Sequence, residues 1–389
     1  MKKPTRVTHQ PDIELPGGNR SMVNPVYRTV KFTYADIETS LSPSARAHGF
    51  DYTRDSNPTT RQLELLAAEL QDRDDAIAVA TGMASIWLTL LGNLRAGDRV
   101  LMFIESYRPS RVAVRKFLSR FGIEHELLSI DDLEGVRGVL ARDDTKLMLF
   151  EAPTNPMLRI PDVAALVALA KAHGVTSVLD NTFAGLHNHG RFDIDYFVHS
   201  LTKYAGGHGD AMGGIVIGSA EKIKVLKPLA VNMGATLDPE AAFMLLRGLK
   251  TYYLRYRHHS ANALAIAQHL AGRRDVEHVR YPGLASDPGH ELARLQMEDF
   301  GGVVTFDLKG DKAATWRFIN ALELFATTAS LGSTESLVAP VMLYQSGDLS
   351  ADELARSGIR DTTVRLAVGI EDVSDLIADL DQAFARAFE

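Results

Sequence analysis

The chain of 389 residues is long enough for two domains, or for one large domain with an appendage. Its residues are 46% hydrophobic and 23% charged, a balance typical of globular proteins that argues against disordered, fibrous and membrane classes. The formal net charge of −7 argues against nonspecific nucleic-acid binding. The chain contains no cysteine, which excludes disulfides, thiolate metal sites and cysteine nucleophiles.

Two segments bear on location. The N-terminal MKKPTRVTHQPDIELPGGN begins with lysines but lacks the apolar stretch of a signal peptide, so we expect a cytoplasmic protein. Residues 76–94 carry no charge and approach the length of a membrane span. Polar residues and glycines interrupt this segment, and a β-prone start gives way to a helical pattern. We interpret it as a buried strand, a turn and a buried helix, and expect no contact with a membrane.

Short apolar runs alternate with helix-period segments through the first 220 residues, the pattern of a parallel sheet flanked by helices. The predicted strands are 76–80, 99–105, 146–151, 176–180, 194–199 and 213–218. The predicted helices are 60–71, 83–94, 109–121 and 161–173. Gly174 would end the last of these helices.

The pattern changes from residue 240 onward. A long helical stretch is predicted through residue 247 and over 261–272, and smaller strand and helix units follow. The first 50 residues show little periodicity. We therefore predict an α/β protein with a mostly parallel central sheet, a smaller C-terminal α+β domain and an extended N-terminal arm. The expected bounds are 1–55 for the arm, 56–245 for the large domain and 246–389 for the small domain.

The most informative stretch is YFVHSLTKYAGGHGD at residues 196–210. A predicted strand ends in Ser-x-Thr-Lys and opens into glycines. Lys203 would therefore lie among small hydroxyls at the carboxyl edge of the sheet, where open α/β sheets bind ligands. A lysine becomes a Schiff-base nucleophile only if burial or nearby positive charge lowers its pKa from about 10.4. The alternative is a surface lysine in a polar loop.

A carboxylate and an aromatic ring are predicted near the same edge. VLDNTF places Asp180 at the end of another strand. There it could pair with a protonated pyridine nitrogen, which is how proteins tune pyridoxal phosphate as an electron sink. A helix-cap aspartate is the alternative. Tyr107, after the strand 99–105, could stack on a ring.

The phosphate group of such a cofactor needs its own site. Thr81-Gly82-Met83 joins a strand to a helix, and free N–H groups at a helix N-terminus suit a dianion. Hydroxyls and a guanidinium can add to it, and hydrogen bonds to a charged group are worth about 1.5–3 kcal/mol each. The candidate phosphate ligands are Gly82, Met83, Ser200, Thr202, Tyr52 and Arg54.

Other cofactors have less support. The chain has no GxxxxGK[ST] loop, and the glycines at 207–209 are followed by Met212 where a dinucleotide fingerprint needs glycine. His187 with His189, and the histidine pair at 258–259, lack carboxylate or cysteine companions at metal spacing. We therefore expect no metal site.

Together these motifs resemble the pyridoxal-phosphate enzymes of cysteine and methionine metabolism, the trans-sulfuration family of cystathionine γ-synthase, γ-lyase and β-lyase and of methionine γ-lyase. The resemblance covers nearly the whole chain, with the motifs in the family's order and spacing. They are YTRDSNPTTRQLE, TGMAS, ESYRPSR, EAPTNP, LDNTF, HSLTKYAGGHGD, LRGLKT, YPGL, SLGSTESL and VRLAVGIEDVSDLI. Each is weak alone, but ten in order are specific.

The resemblance implies a fold-type-I pyridoxal-phosphate transferase and catalytic roles for three residues. Lys203 would bond to the cofactor and later move protons. Asp180 would pair with the pyridine nitrogen, and Tyr107 would stack on the ring and help with proton transfer. Gly82, Met83, Ser200 and Thr202 would bind the phosphate, joined by Tyr52 and Arg54 from the neighbouring subunit.

The resemblance also implies substrates and partners. Arg365 would bind the carboxylate of a small amino-acid substrate, with help from Asn155 and the backbone of Ser330. A site shared between subunits implies a homodimer or homotetramer. The implied chemistry is proton loss at the substrate Cα, followed by expulsion of a group from Cβ or Cγ.

Departures from the family bear on the substrate. Arg108-Pro109 follows Tyr107 where many members have glycines, and VAPVMLYQSG at 338–347 replaces a segment that borders the substrate. Leu201 and Gly209 replace a usual alanine and serine.

Glu335 is a further candidate substrate-binding residue, because it resembles the acid of γ-synthases and γ-lyases, where some bacterial β-lyases have tyrosine. It favours Cγ chemistry on cystathionine or an O-acylhomoserine, although a loop salt bridge is an equal alternative. The other candidate activities are cystathionine β-lyase, methionine γ-lyase and an aminotransferase.

Overall fold

The computed structural model describes residues 17–19, 21–42 and 49–388. The first sheet has seven strands. They are β1 (Asp75–Val79), β2 (Arg99–Phe103), β3 (Glu124–Leu128), β4 (Thr145–Glu151), β5 (Thr176–Asp180), β6 (Tyr196–Ser200) and β7 (Gly214–Gly218). The helices in this part are α1 (Ile37–Leu41), α2 (Pro58–Leu70), α3 (Gly82–Asn93), α4 (Arg108–Val112), α5 (Leu133–Leu140), α6 (Val163–Ala172) and α7 (Ala220–Met233).

The strand order of this sheet is β1-β7-β6-β5-β4-β2-β3. From β6 to β3 every neighbouring pair is parallel, whereas β7 runs antiparallel to both β1 and β6. Apolar cores cover both faces of the sheet, which is why its strands are continuous apolar runs such as RVLMF in β2. The mostly parallel sheet flanked by helices is confirmed, and residues 76–94 form a strand, a turn and a helix as predicted.

Several elements of this part differ from the sequence prediction. Strand β3, at the sheet edge, begins with three polar residues in EHELL, and α5 contains two glycines, so both patterns are weak. Helix α7 was not predicted, and it contains Pro228, a residue that disfavours helix interiors. The helix predicted over 109–121 is three short pieces, because a π-helical turn (Ala113–Phe117) and a 3₁₀ turn (Leu118–Phe121) follow α4.

The C-terminal part holds a second, smaller sheet of five strands in the order β10-β11-β12-β9-β8. Its strands are β8 (Val276–Arg280), β9 (Val303–Leu308), β10 (Ala326–Thr327), β11 (Leu337–Pro340) and β12 (Thr363–Ala367). The helices are α8 (Pro239–Leu249), α9 (Tyr252–Ala271), α10 (His290–Gln296), α11 (Lys312–Ala321), α12 (Val341–Gln345), α13 (Ala351–Ser357) and α14 (Val373–Ala387). The long helical stretch predicted from residue 240 is therefore two helices, α8 and α9.

A separate core fills the space between this sheet and its helices. The rings of Phe318 on α11 and Phe384 on α14 lie at its centre, with centroids 4.5 Å apart. A second core supports the prediction of a smaller C-terminal unit, while the boundary near residue 245 stays a prediction. Within the described residues, no helix is long and apolar enough to span a membrane.

The predicted N-terminal arm is described only in part, since residues 1–16, 20 and 43–48 lie outside the described residues. Its described portion is mostly irregular and exposed. Lys31 and Tyr52 form an isolated antiparallel bridge within it. Whether the arm reaches a neighbouring subunit stays a prediction.

Candidate active site

Three parallel strands end together in polar side chains. Glu151 ends β4, Asp180 ends β5 and Ser200 ends β6. The pairing of β4 with β5 places Glu151 directly beside Asp180. A cavity of about 240 Å³ opens at this edge and is also lined by residues from the C-terminal part. The predicted site residues that line it are Gly82, Met83, Tyr107, Asn155, Asp180, Ser200, Thr202, Lys203, Ser330 and Arg365.

Lys203 follows β6 and points its amine across the cavity. Its Nζ donates a hydrogen bond to Ser330 Oγ at 2.8 Å. Burial, together with the positive charge of Arg365, lowers the pKa of Lys203 to about 8. Both causes expected for a nucleophilic lysine are therefore present, and the alternative of a surface lysine in a polar loop is wrong.

Asp180 and Glu151 form a buried pair of carboxyl groups. Asp180 accepts hydrogen bonds from the backbone N–H and the hydroxyl of Thr182, at 3.1 and 2.6 Å. Burial raises the pKa of Asp180 against these bonds. Burial and the nearby Asp180 raise the pKa of Glu151 to about 8. Two carboxyl groups this close resist being charged together, so a cation beside Asp180 would be held firmly.

Glu151 joins two other site residues, and sequence reasoning did not single it out. Its Oε1 accepts the backbone N–H of Tyr107 at 2.6 Å, and its Oε2 accepts that of Asn155 at 2.9 Å. Burial and Asp180 also raise the pKa of Tyr107, which keeps the phenol protonated. The sequence pattern that identified Asp180 also applies to Glu151, because EAPTNP places an acidic residue at the end of an apolar strand.

The predicted phosphate ligands form a cradle on one side of the cavity. Thr81 caps α3 by accepting the N–H of Ala84 at 3.0 Å, and the first turn leaves the N–H groups of Gly82 and Met83 without intrahelical acceptors. A Cβ atom on Gly82 would lie 2.7 Å from the Cβ of Ser200, so only glycine allows this approach. The helix N-terminus and the adjacent hydroxyls suit a phosphate.

Arg365 on β12 brings a guanidinium to the cavity from the second sheet. It donates to Asn155 Oδ1 at 2.9 Å and to the carbonyl of Ser330 at 3.1 Å. Burial lowers the pKa of Arg365 to about 10, so it remains cationic at neutral pH. Its buried Nε has no acceptor among the described residues. An unpaired buried donor beside a cavity is explained by an anion that binds there.

Three predicted residues do not line the cavity of their own chain. The Tyr52 side chain is exposed, and the Arg54 guanidinium lies 5.1 Å from the centroid of the Tyr52 ring. Glu335 is also exposed, and within the described part of the chain it has no ion pair, so the predicted loop salt bridge is not formed there. The binding roles of these three residues stay predictions.

Gln345, at the end of α12, lines the cavity and was not predicted as a site residue. It lies in VAPVMLYQSG, the segment in which the chain departs from the family pattern. In the part of the chain that the structure describes, no group of three or more His, Cys, Asp or Glu side chains could hold a metal ion.

Comparison with known proteins agrees with this site. The family model for Cys/Met metabolism PLP-dependent enzymes matches residues 6–385, where PLP is pyridoxal phosphate. L-methionine gamma-lyase of Pseudomonas putida is 39% identical over 369 residues, which cover 93% of this chain and 92% of that protein.

Two solved structures are similar throughout. Cystathionine gamma synthase of Xanthomonas oryzae pv. oryzae, in complex with cystathionine, has a TM-score of 0.89 and 35% identity over 94% of this chain and 93% of its own. A candidate O-acetylhomoserine (thiol)-lyase of Campylobacter jejuni has a TM-score of 0.89 and 31% identity, over 94% of this chain and 96% of its own. That structure carries a lysine bonded to the pyridoxyl phosphate.

The chain therefore belongs to the family of PLP-dependent enzymes of cysteine and methionine metabolism. Its cofactor is pyridoxal phosphate, and its relatives include carbon–sulfur lyases and synthases. The predicted family, fold and cofactor are confirmed. The residues present fit the cofactor, since a buried amine, a buried carboxyl group and a free helix N-terminus border one cavity.

Proposed function

We propose that the enzyme eliminates or replaces a group at Cγ of a small amino acid, cystathionine or an O-acylated homoserine. The observation that carries the proposal is that Lys203, with its pKa lowered to about 8, shares a cavity with Arg365 and its free Nε. A basic amine and a carboxylate-binding cation are what removal of a Cα proton from an amino acid requires. The relatives described above are named for methionine, cystathionine and acetylhomoserine, which supports Cγ chemistry.

Each site residue has a role in this proposal. Bound at Lys203, pyridoxal phosphate supplies an electron sink for the charge that develops at the substrate Cα. Arg365 and Asn155 hold the substrate carboxylate. Lys203 takes the proton from Cα and returns protons during the later steps, while Ser330 orients its amine through the bond at 2.8 Å.

Six further residues would act on the cofactor. Asp180 would balance the charge of the ring nitrogen, and Tyr107 would cover the ring and help with proton transfer. The N–H groups of Gly82 and Met83 would bind the phosphate, with the hydroxyls of Ser200 and Thr202.

The proposal includes a shared active site in a homodimer or homotetramer. Tyr52 and Arg54 are exposed and lie outside the cavity of their own chain, so a second copy is needed to bring them to the phosphate. Mixing inactive Lys203→Ala and Arg54→Ala proteins tests this. Hybrid dimers contain one site with both native residues and should regain activity. No recovery after subunit exchange would contradict sharing of the active site between subunits.

A cytoplasmic location stays a prediction, which cell fractionation tests.

Product analysis with cystathionine tests the reaction. Cleavage at Cγ gives 2-oxobutyrate and cysteine, whereas cleavage at Cβ gives pyruvate and homocysteine. A new thioether from an O-acylhomoserine and a thiol identifies replacement at Cγ. Pyruvate alone would make the enzyme a β-lyase, and accumulation of pyridoxamine phosphate would make it an aminotransferase. Lys203→Ala is the control and should give none of these products.

A further inference from the structure

Helix α12 and the loop after it pack against α4, the helix that begins directly after Tyr107. Gln345, 5% exposed, is the residue of this segment that lines the cavity. Its Oε1 accepts the backbone N–H of Arg108 at 3.2 Å. This contact joins two places that the sequence analysis identified as departures from the family pattern, Arg108 and the α12 segment.

A buried ion pair fixes the position of Gln345. Arg111 on α4 is fully buried, and its guanidinium forms two hydrogen bonds to the carboxylate of Asp348, at 2.9 and 2.7 Å. The same guanidinium donates to the carbonyl of Gln345 at 2.5 Å and to that of Ile104 at 3.0 Å. One side chain therefore ties Gln345 to the loop that precedes Tyr107.

This pair is better explained as a positioning device than as a source of stability. Burying two charges costs about as much free energy as their attraction returns, so such pairs add little net stability. Their hydrogen-bond geometry is specific, however, because a guanidinium and a carboxylate meet in one planar arrangement. Arg115 adds a further bond, to the carbonyl of Asp348 at 2.6 Å.

The amide of Gln345 leaves a hydrogen-bond donor available to a ligand. Its oxygen Oε1 already accepts a hydrogen bond from Arg108, so Nε2 is the atom of the amide that can still donate one. Among the described residues nothing accepts a hydrogen bond from Nε2. This nitrogen is also not one of the fully buried atoms without a partner, so it is not sealed inside the protein. Since Gln345 lines the cavity, a ligand there can reach this donor. A side-chain oxygen would accept its hydrogen bond, whereas a thioether sulfur is a weak acceptor.

We propose that Gln345 is a specificity-determining residue that binds an acceptor oxygen at the far end of the substrate side chain, and that the Arg111–Asp348 pair positions it. The proposal rests on the proposed function, because it assumes an amino-acid substrate held by Arg365. Gln345 would then favour substrates with a distal carboxylate or an acyl carbonyl, such as cystathionine or an O-acylated homoserine, over methionine.

Binding of two unreactive amino acids to the holoenzyme tests the proposal. 2-Aminoadipate ends in a carboxylate and norleucine in a methyl group, and neither carries a leaving group at Cγ. Their dissociation constants follow from the change in visible absorption of the bound cofactor. Gln345→Met keeps the side-chain length and should weaken the binding of 2-aminoadipate at least about 10-fold. The dissociation constant of norleucine should change less than about 2-fold. Equal changes for both ligands, or no change for either, would overturn the proposal.

The positioning role of Asp348 is tested by a double-mutant cycle. Asp348→Asn should weaken the binding of 2-aminoadipate about 3- to 10-fold. In the Gln345→Met background the same substitution should cause no further loss of affinity. Independent effects of the two substitutions would overturn the positioning role. Asp307→Asn is the matched control, since it removes the charge from a buried pair with Arg280, at 2.8 Å, that does not border the cavity.

The two proposals fail in different ways. A wild-type enzyme that binds 2-aminoadipate through Gln345 but converts neither cystathionine nor an O-acylhomoserine would contradict the proposed function alone. An enzyme that converts these substrates with an unchanged preference in Gln345→Met would contradict the specificity role alone.

Discussion

Lys203 and Ser330 are joined by a hydrogen bond of 2.8 Å that crosses from one sheet of the molecule to the other. Lys203 follows β6 of the large sheet, whereas Ser330 lies in the loop between β10 and β11 of the small one. The reactive amine is therefore oriented by the C-terminal part of the chain. The carbonyl of the same Ser330 accepts from Arg365, so one residue contacts both the Lys203 amine and the Arg365 guanidinium.

Ser330→Ala removes the hydroxyl but keeps the carbonyl bond to Arg365. We expect kcat to fall about 5- to 10-fold, which corresponds to the net loss of one hydrogen bond, with KM nearly unchanged. Steady-state kinetics on the holoenzyme measure both constants. Ser333→Ala is the control, because it lies in the same loop and does not line the cavity. An unchanged kcat in Ser330→Ala would show that the hydroxyl does not orient the amine.

Asp180→Asn removes the cavity carboxyl group that we propose pairs with the cofactor ring nitrogen. A neutral amide cannot balance a cationic ring nitrogen, so we expect kcat to fall at least about 100-fold while the protein stays folded. Activity and the visible spectrum of the cofactor are the measurements. Asp193→Asn should leave activity unchanged, since Asp193 forms a surface pair with Lys171. Retention of more than a tenth of the wild-type kcat would argue against the assigned role.

Gly82→Ala places a methyl group where the structure has no room. Its Cβ would lie 2.7 Å from the Cβ of Ser200 and would force the phosphate cradle apart. We expect affinity for pyridoxal phosphate to fall at least about 10-fold, as measured by titrating the cofactor-stripped protein. Gly138→Ala on α5 has open space around its Cβ and should bind the cofactor like wild type. Equal affinities for all three proteins would exclude a tight cradle at Gly82.

Glu151→Gln should change the pH dependence of stability. Burial and Asp180 raise the pKa of Glu151 from 4.5 to about 8 in the folded protein. The unfolded chain releases this proton near 4.5 and the folded chain near 8, so stability is lost as pH rises between these values. We expect Tm of the cofactor-stripped protein to fall less from pH 5 to pH 8 in Glu151→Gln than in wild type. Parallel falls in both proteins would show that Glu151 titrates normally.

The sheet and its reactive edge could be predicted from sequence for a physical reason. Strands buried on both faces must be apolar throughout, so a polar residue that ends such a run marks the edge of the sheet. Asp180 and Ser200 carry that signal, and Lys203 follows it by three residues. Parallel strands then bring their carboxyl ends together, which places these side chains at one site.

The remaining site residues depend on contacts that no local pattern encodes. Gln345 reaches the cavity because Arg111, more than two hundred residues earlier, binds its carbonyl. Glu151 carried the strand-end signal but gained its meaning only when the register placed it beside Asp180. Tyr52 and Arg54 lie outside the cavity of their own chain, so their predicted phosphate contacts would depend on a second copy.

The two backbone bonds to Glu151 have a mechanical consequence. Tyr107 and Asn155 are held by opposite oxygens of one carboxyl group, at 2.6 and 2.9 Å. The backbone segments at Tyr107 and Asn155 are thus linked through a single side chain. A displacement of β4 would therefore move both backbone segments together.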